Sequence, residues 1–426
     1  MSKTATLALC AFATAGLAQA AAPTYGKEVS RILQKNCESC HRPGQIAPFA
    51  LTSYGQAKAF AKEIKRVTQA RVMPPWKAVR GFGQEFENER HLDDADIDTL
   101  ARWVDAGAPQ GDLKDTPPPA EYNDDWAHGK PDLVLSPPED FQVGPEGVDE
   151  YRCFVVSAGF PEERTIQTIE SRPGNRRVVH HILSYVDVTG KARALDAKDP
   201  RPGYSCMGNL GFQAQTNLGG WAPGDFAVRL PDRYGRYVPK GADIVMQVHY
   251  HKNGKSESDR SSIGVYFNQG PVEKYVRFVP VMNARIKIPA GDDNYRETAS
   301  TTLRQDVIAL SFFPHMHLLG KEMIMTATFP DGAKKDLIWV KPWDFNWQTH
   351  YVLKQSMPMP KGTRIDVAAA YDNSENNRSN PNKPVREVRW GDATTDEMLI
   401  GWITYAIDTP VPPPAPRPAS SGSGSQ

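Results

Sequence analysis

Apolar and polar residues follow two different rhythms along this chain of 426 residues. From residue 23 to 111 the apolar positions recur at the spacing of helices with one buried face. Glu28–Leu33 and Tyr54–Ala70 carry that spacing. His91–Ala106 opens on an acid-rich turn, places Ile97, Leu100 and Val104 on one face, and meets a stop at Gly107. From about 127 to 408 the texture changes to short apolar runs punctuated by Gly, Pro, Asn and Asp. The runs are YRCFVVS, RTIQTIES, VVHHILSYVDV, DIVMQVHYH, KYVRFVPV, ARIKIP, VIALSFFPHMHL, MIMTATF, RIDVAAAYD and MLIGWITYAI. This pattern predicts the strands of β-sandwiches. Its length suits two of them, with a break near Gly270–Val281. The expected organisation is therefore multidomain: a small all-α domain at 23–111, a Pro- and acid-rich linker at 112–126, all-β sandwiches at 127–275 and 276–408, and a low-complexity tail at 409–426.

Composition sharpens this picture in three places. The 36 prolines and 33 glycines suit a turn-rich β protein better than a helical bundle. A formal net charge of zero, with no basic stripe, argues against a nucleic-acid partner. At the N-terminus Lys3, the apolar stretch Leu7–Leu17 and Ala18-Gln19-Ala20 have the layout of a signal peptide, residues 1–20. Its apolar core is too short to span a bilayer, and no other segment reads as a membrane span. Lipidation at Cys10 is disfavoured by Leu9 and by the cleavage site beyond it. The mature protein is expected to be exported, periplasmic or secreted.

Cys37-Glu38-Ser39-Cys40-His41 is a C-x-x-C-H run, the attachment motif of one covalent c-type haem. With Cys10 leaving on the signal peptide, Cys153 and Cys206 remain. An oxidising compartment favours a disulfide between them over two buried thiols. The helical segment, with its C-x-x-C-H, its VMPPW run and its WVDAGAP end, resembles a small class I cytochrome c. That resemblance implies His41 as one axial haem ligand. Met73, in Arg71–Trp76, is the expected second, with His91 as the other candidate; a thioether there raises the haem potential relative to two imidazoles.

Six of the ten histidines fall in three tight groups: His180-His181, His249 with His251, and His315 with His317. With Met398 they form a donor set suited to copper, which must be held as both Cu(I) and Cu(II). Residues two apart on a strand face the same way, so each H-x-H could offer two imidazoles to one metal. Adjacent His180 and His181 would face apart unless a bulge or different ring nitrogens brought them together. Each motif is weak alone, and their coincidence carries the signal.

The stretches VVHHIL, QVHY, HMHLLGK and TTDEM, in that order, resemble the copper type II ascorbate-dependent monooxygenases. This family includes the peptidylglycine α-hydroxylating and dopamine β-monooxygenases. The resemblance spans residues 126–408 and implies two jelly-roll-like sandwiches holding two copper ions. His180, His181 and His249 then match the electron-transfer copper, and His315, His317 and Met398 the catalytic one. His251 has no counterpart and reads as a surface histidine, a group behind the ligands or a substitute ligand. The implied partners are O2, a small organic substrate with a C–H bond to hydroxylate, and an external electron donor: a cytochrome, a quinol system or an ascorbate-like reductant. The haem would pass those electrons on. Phe313, Ile400 and Trp402 stand where peptide-hydroxylating relatives place an arginine, an asparagine and a tyrosine. Phe313, Trp402 and Tyr405 thus suggest an apolar or aromatic substrate, or else ordinary sandwich core. Asp396 and Glu397 read as groups behind the ligands or as solvated turn residues, and the polar stretch YDNSENNRSNPNKP reads as a long loop whose position before Met398 allows a role near the catalytic mouth. The competing function is a non-catalytic periplasmic electron-transfer or copper-handling protein on the same scaffold.

Overall fold

The computed structural model describes residues 21–45, 47–122, 125–157 and 159–407. The expected signal peptide, with Cys10, and the tail from 409 lie outside them. The chain forms two compact units. Of the described residues, one unit comprises those from 21 to Trp76 together with Arg90–Tyr122, and the other Lys77–Glu89 and those from 125 to 407.

The first unit is helical, as its periodicity predicts. Tyr25–Val29 is a π-turn leading into the α-helix Ser30–Asn36, followed by helices Tyr54–Ala59, Ala61–Gln69 and Asp94–Asp105 and a 3₁₀ turn at Leu113–Asp115. Gly107 ends the longest helix at φ 85°, a left-handed conformation that lets the Ala108 N–H reach back to the Trp103 carbonyl at 2.9 Å. Val29, Leu33, Leu100 and Trp103 are fully buried in its core. The Trp103 indole N–H donates to the Pro109 carbonyl at 3.0 Å, so the largest core side chain leaves no polar atom unmet.

Lys77–Glu89, read from the sequence as part of the helical segment, instead pairs with strands of the second unit. Ala78 bridges Val340 and Phe86 bridges Leu353. The Val79, Gln84 and Glu87 amides donate to Trp339, Leu337 and Val352. Gly83 permits this close approach: at φ 74°, any Cβ would sit 2.4 Å from the Leu337 carbonyl oxygen.

The second unit is built of β-sandwich layers. Tyr204–Ser205, Glu150–Ser157, Asp243–Tyr250, Val179–Asp187 and Thr216–Trp221 form a five-stranded sheet in that order. A four-stranded sheet holds Tyr295–Thr302, Arg364–Tyr371, Gly320–Thr328 and Lys334–Val340. An eight-stranded sheet runs through both halves. Leu133–Leu135, Ser262–Phe267, Arg164–Arg172 and Tyr234–Val238 continue into Lys274–Met282, Ile400–Ile407, Val307–His315 and Tyr351–Met359. The junction is a short parallel pairing, Lys274 with Tyr234 and Tyr275 with Gly235. Most of Gly270–Val281, where the sequence suggested a break, is therefore strand.

Every apolar run read from the sequence contains a strand, although in ARIKIP it is only Lys287–Ile288 and in VIALSFFPHMHL it stops at His315. Missed strands include Tyr295–Thr302, a polar edge strand with one buried residue, and the glycine-containing Thr216–Trp221. Neither shows an apolar alternation to read. Cys153 and Cys206 form the expected disulfide, with Cα atoms 5.9 Å apart, Cys153 on strand Glu150–Ser157 and Cys206 just past its neighbour Tyr204–Ser205. No described helix is long and apolar enough to cross a membrane.

Candidate metal centre

His180 and His181 lie near the start of strand Val179–Asp187, and His249 lies near the end of its neighbour Asp243–Tyr250. The register shifts between Val179 and His181, and His181 pairs directly with His249. His180 is thus the bulged residue, and the bulge turns an adjacent pair toward one point. His181 Nδ1 lies 3.4 Å from the Nδ1 of His180 and 3.4 Å from the Nδ1 of His249. One ring nitrogen from each of the three falls within 4.8 Å of the others.

The surroundings favour neutral imidazoles with free lone pairs, the form that binds a metal. His249 Nε2–H donates to Asp149 at 3.0 Å, which leaves Nδ1 as the lone-pair nitrogen. The Tyr151 ring stacks on His249 at 4.1 Å. His180 Nε2 is buried with no hydrogen-bond partner. Burial pushes all three imidazoles below their ordinary pKa, and neighbouring imidazoles push His180 and His181 further down. Burial alone would raise the Asp149 carboxyl. Hydrogen bonds from His249, His251 and Thr394 instead hold it well below the usual carboxylate range. Three uncharged donors beside one fixed carboxylate suit a copper ion.

The second set is held differently. Strand Val307–His315 ends at His315, so the H-x-H is not presented by a strand as the sequence suggested. Glu397 fixes His317 instead. This fully buried carboxylate accepts the backbone N–H of His317 (2.8 Å), Leu319 (2.7 Å) and Met398 (2.9 Å). Burial pushes the Glu397 carboxyl up to about 8, against the pull of those amides. The Tyr371 hydroxyl donates to the Met398 carbonyl at 2.9 Å and completes the clamp. Glu397 is therefore a structural clamp and not a solvated turn residue. His315 Nδ1–H donates to Gln348 at 2.7 Å and His317 Nδ1–H to the Asp396 carbonyl at 3.2 Å. Both rings keep Nε2 for a ligand. Burial lowers His315 to about 4 and His317 to about 3. Two neutral imidazoles and the Met398 thioether make a softer site than the three-histidine set, one that favours Cu(I).

Both sets line one cavity of about 370 Å³ inside the second unit. Phe345 touches both, stacking on His180 at 4.5 Å and meeting His317 edge-on at 5.9 Å. Phe313 and Trp402, cross-strand neighbours, also line the cavity, whereas Tyr405 does not. Sequence reading missed Asp149, Gln348 and Phe345, which lie in stretches without a motif.

His251 takes the surface position among the readings open to it. The strand ends at Tyr250, so His251 turns outward with a 60 % exposed side chain and does not face the His249 site. It shares Asp149 with His249, its Nδ1 lying 2.9 Å from the other carboxylate oxygen. A His251→Ala variant is expected to keep its full copper content by elemental analysis. Its unfolding free energy should change by less than about 1 kcal/mol, as for an exposed pair. Loss of a copper would make His251 a ligand.

In the helical unit, Cys37 and Cys40 are free and half-buried. The Cys40 and His41 amides both donate to the Cys37 carbonyl, which curls the motif into one turn. His41 Nδ1–H donates to Phe49 at 3.1 Å, leaving Nε2 for an axial bond. These residues fit the haem expectation: two thiols and one oriented imidazole. Met73 sits at the surface and His91 is half-buried.

Residues 280–415 match the family model of the copper type II ascorbate-dependent monooxygenase C-terminal domain. That segment contains His315, His317 and Met398, and the match supports copper-dependent oxidoreductase chemistry there. No curated protein matches the chain. Among solved structures, the major capsid protein P2 of bacteriophage PM2 is 10 % identical with a TM-score of 0.27, covering 64 % of this chain and 96 % of that one. A recombinant N-glycanase F is 11 % identical with a TM-score of 0.26, covering 66 % and 97 %. At these scores neither likeness bears on fold or function.

Proposed function

We propose that the protein is an exported copper-dependent monooxygenase that hydroxylates a C–H bond of a small, largely apolar or aromatic substrate. Electrons would reach it through a c-type haem on the helical unit. The observation that carries this reading is that two ligand sets, each with ring nitrogens left free by protein hydrogen bonds, line one cavity. Copper, when bound at both, supplies one-electron redox chemistry, with O2 activation assigned to the sulfur-bearing set and electron storage to the three-histidine set. The overall change consumes the substrate C–H, O2, two electrons and two protons, and yields the hydroxylated product and water.

The chain's own groups orient, exclude water and bind. Gln348 and the Asp396 carbonyl set the tautomers of His315 and His317, and Asp149 sets that of His249. Glu397 holds His317 and Met398 at fixed backbone positions. Aromatic and apolar walls favour a substrate of the same character and keep the cavity poor in polar groups. Cys37 and Cys40 would carry the thioether links and His41 the axial bond, with Met73 as second ligand and His91 as the alternative. Export follows from the residue 1–20 pattern and accords with the Cys153–Cys206 disulfide. The external donor is a cytochrome, a quinol system or an ascorbate-like reductant.

The test is 18O2 turnover: one labelled oxygen atom in the product for each O2 consumed. Copper-bound protein that never labels any product of a broad substrate screen would favour the electron-transfer or copper-handling reading. For the haem, His41→Ala is expected to lower turnover with a protein electron donor at least about tenfold while copper content stays unchanged, because tethering a donor raises its effective concentration. Unchanged turnover would remove the haem from the reaction.

A further inference from the structure

Among the polar groups that line the cavity is a buried Asp–His pair that copper binding does not use. Asp225 and His350 both line it, with side chains 2 % and 17 % exposed. His350 Nδ1–H donates to one Asp225 oxygen at 2.9 Å. The other oxygen accepts the His350 backbone N–H at 3.0 Å and the Thr349 hydroxyl at 3.4 Å. The backbone on either side is also pinned. The Asn88 amide donates to the His350 carbonyl at 2.8 Å and accepts from Val352 N–H at 3.1 Å. The His350 ring therefore has one orientation, against Phe313 at 4.7 Å, and Nε2 is the nitrogen the protein leaves unused.

His350 lines this cavity and also a neighbouring one of about 280 Å³, and the lining of the first defines what a ligand bound there meets. Trp221, Phe278, Met282, Phe313, Ile400 and Trp402 give the first cavity apolar walls, with Asn209, Asn217, Gln247 and Thr394 adding uncharged polar side chains. No lysine or arginine is among the described lining residues, while Asp225 and Asp392 are, so an anionic ligand has no counter-charge. We propose that His350, oriented by Asp225, is the hydrogen-bonding anchor for a hydroxyl group on a neutral and otherwise apolar substrate, an alcohol or a phenol. A hydroxyl both donates and accepts, so it satisfies Nε2 in either protonation state of the ring. The volume suits a small molecule. The inference rests on the monooxygenase reading of the same cavity and deepens it by naming the substrate class.

The test compares 4-ethylphenol with ethylbenzene, which differ only in the hydroxyl, on the full-length copper-loaded protein. Binding is read by quenching of the cavity tryptophans. The native chain is expected to bind the phenol about tenfold more tightly, the equivalent of ~1.4 kcal/mol. His350→Phe is expected to bind both probes equally and to retain its affinity for ethylbenzene. His350→Gln, which keeps an acceptor, should retain part of the preference, and it carries the comparison if the phenylalanine variant does not fold. A purely structural His350–Asp225 pair would change melting temperature without changing the ratio. An equal ratio in the native chain, an unchanged ratio in both variants, or binding of neither probe would overturn the anchor. Copper counted on the same samples separates the two claims: two coppers without a phenol preference sinks the anchor alone, and a preference without copper sinks the oxygenase reading alone.

Discussion

Replacing Met398 with alanine is expected to abolish turnover while leaving the three-histidine copper in place. Met398 is the only thioether in its ligand set and lines the cavity beside His315 and His317. Its backbone is fixed from both sides, by Glu397 at its N–H and Tyr371 at its carbonyl. The variant loses the soft donor but none of the backbone clamp, so the fold should survive. The expected fall in turnover is at least about 100-fold, beyond the 10- to 100-fold typical when only a group behind a ligand is removed. Copper affinity should fall at that set alone. His181→Ala is the mirror case, because His181 Nδ1 sits between the Nδ1 atoms of His180 and His249. It should lose the three-histidine copper and keep the other. Copper titration with electron paramagnetic resonance checks both, and loss of both coppers in either variant would contradict two independent sets.

Glu397→Gln is expected to destabilise the C-terminal half by about 3 kcal/mol by denaturant unfolding at about pH 9, where the Glu397 carboxyl, pushed up to about 8, is ionised. The carboxylate accepts N–H groups on both oxygens: His317 and Met398 on one, Leu319 on the other. An amide offers one oxygen and one NH2. Whichever way it lies, its NH2 faces a backbone N–H in a fully buried site, leaving donors unpaired, which costs roughly 1–3 kcal/mol for each buried group. The same change lets His317 and Met398 drift apart, so copper should weaken at that set while the three-histidine set is unaffected. Unaltered stability and copper binding would show that the clamp is dispensable.

Much of this was legible in the sequence because the ligands are rare residues in short motifs. His180, His181 and His249 converge as the motif order suggested, and the need for a bulge at the adjacent pair followed from strand alternation alone. Where strand alternation was trusted too far, it failed. His251 is two residues from His249, yet the strand ends between them. His317 is two residues from His315, yet it is positioned by a glutamate about 80 positions later in the chain. Asp149, Gln348, Phe345 and the Asp225–His350 pair left no trace, because each acts through a partner far away in sequence. The asparagines of the stretch after Tyr371 read as loop polarity. In the fold Asn373 is fully buried and its amide donates to the Pro289 and Arg386 carbonyls, while Asn382 reaches Thr395, just ahead of the Glu397 clamp. Lys77–Glu89 was assigned by continuity to the helical segment, and only its pairing with Val340 and Leu353 places it elsewhere.

The most direct test of the central claim is the metal content of the full chain, expressed in a periplasm with haem maturation and then loaded with copper. The account predicts two coppers and one haem per chain, with one copper lost in His181→Ala and the other weakened in Met398→Ala. A single copper per chain, or none, would contradict it.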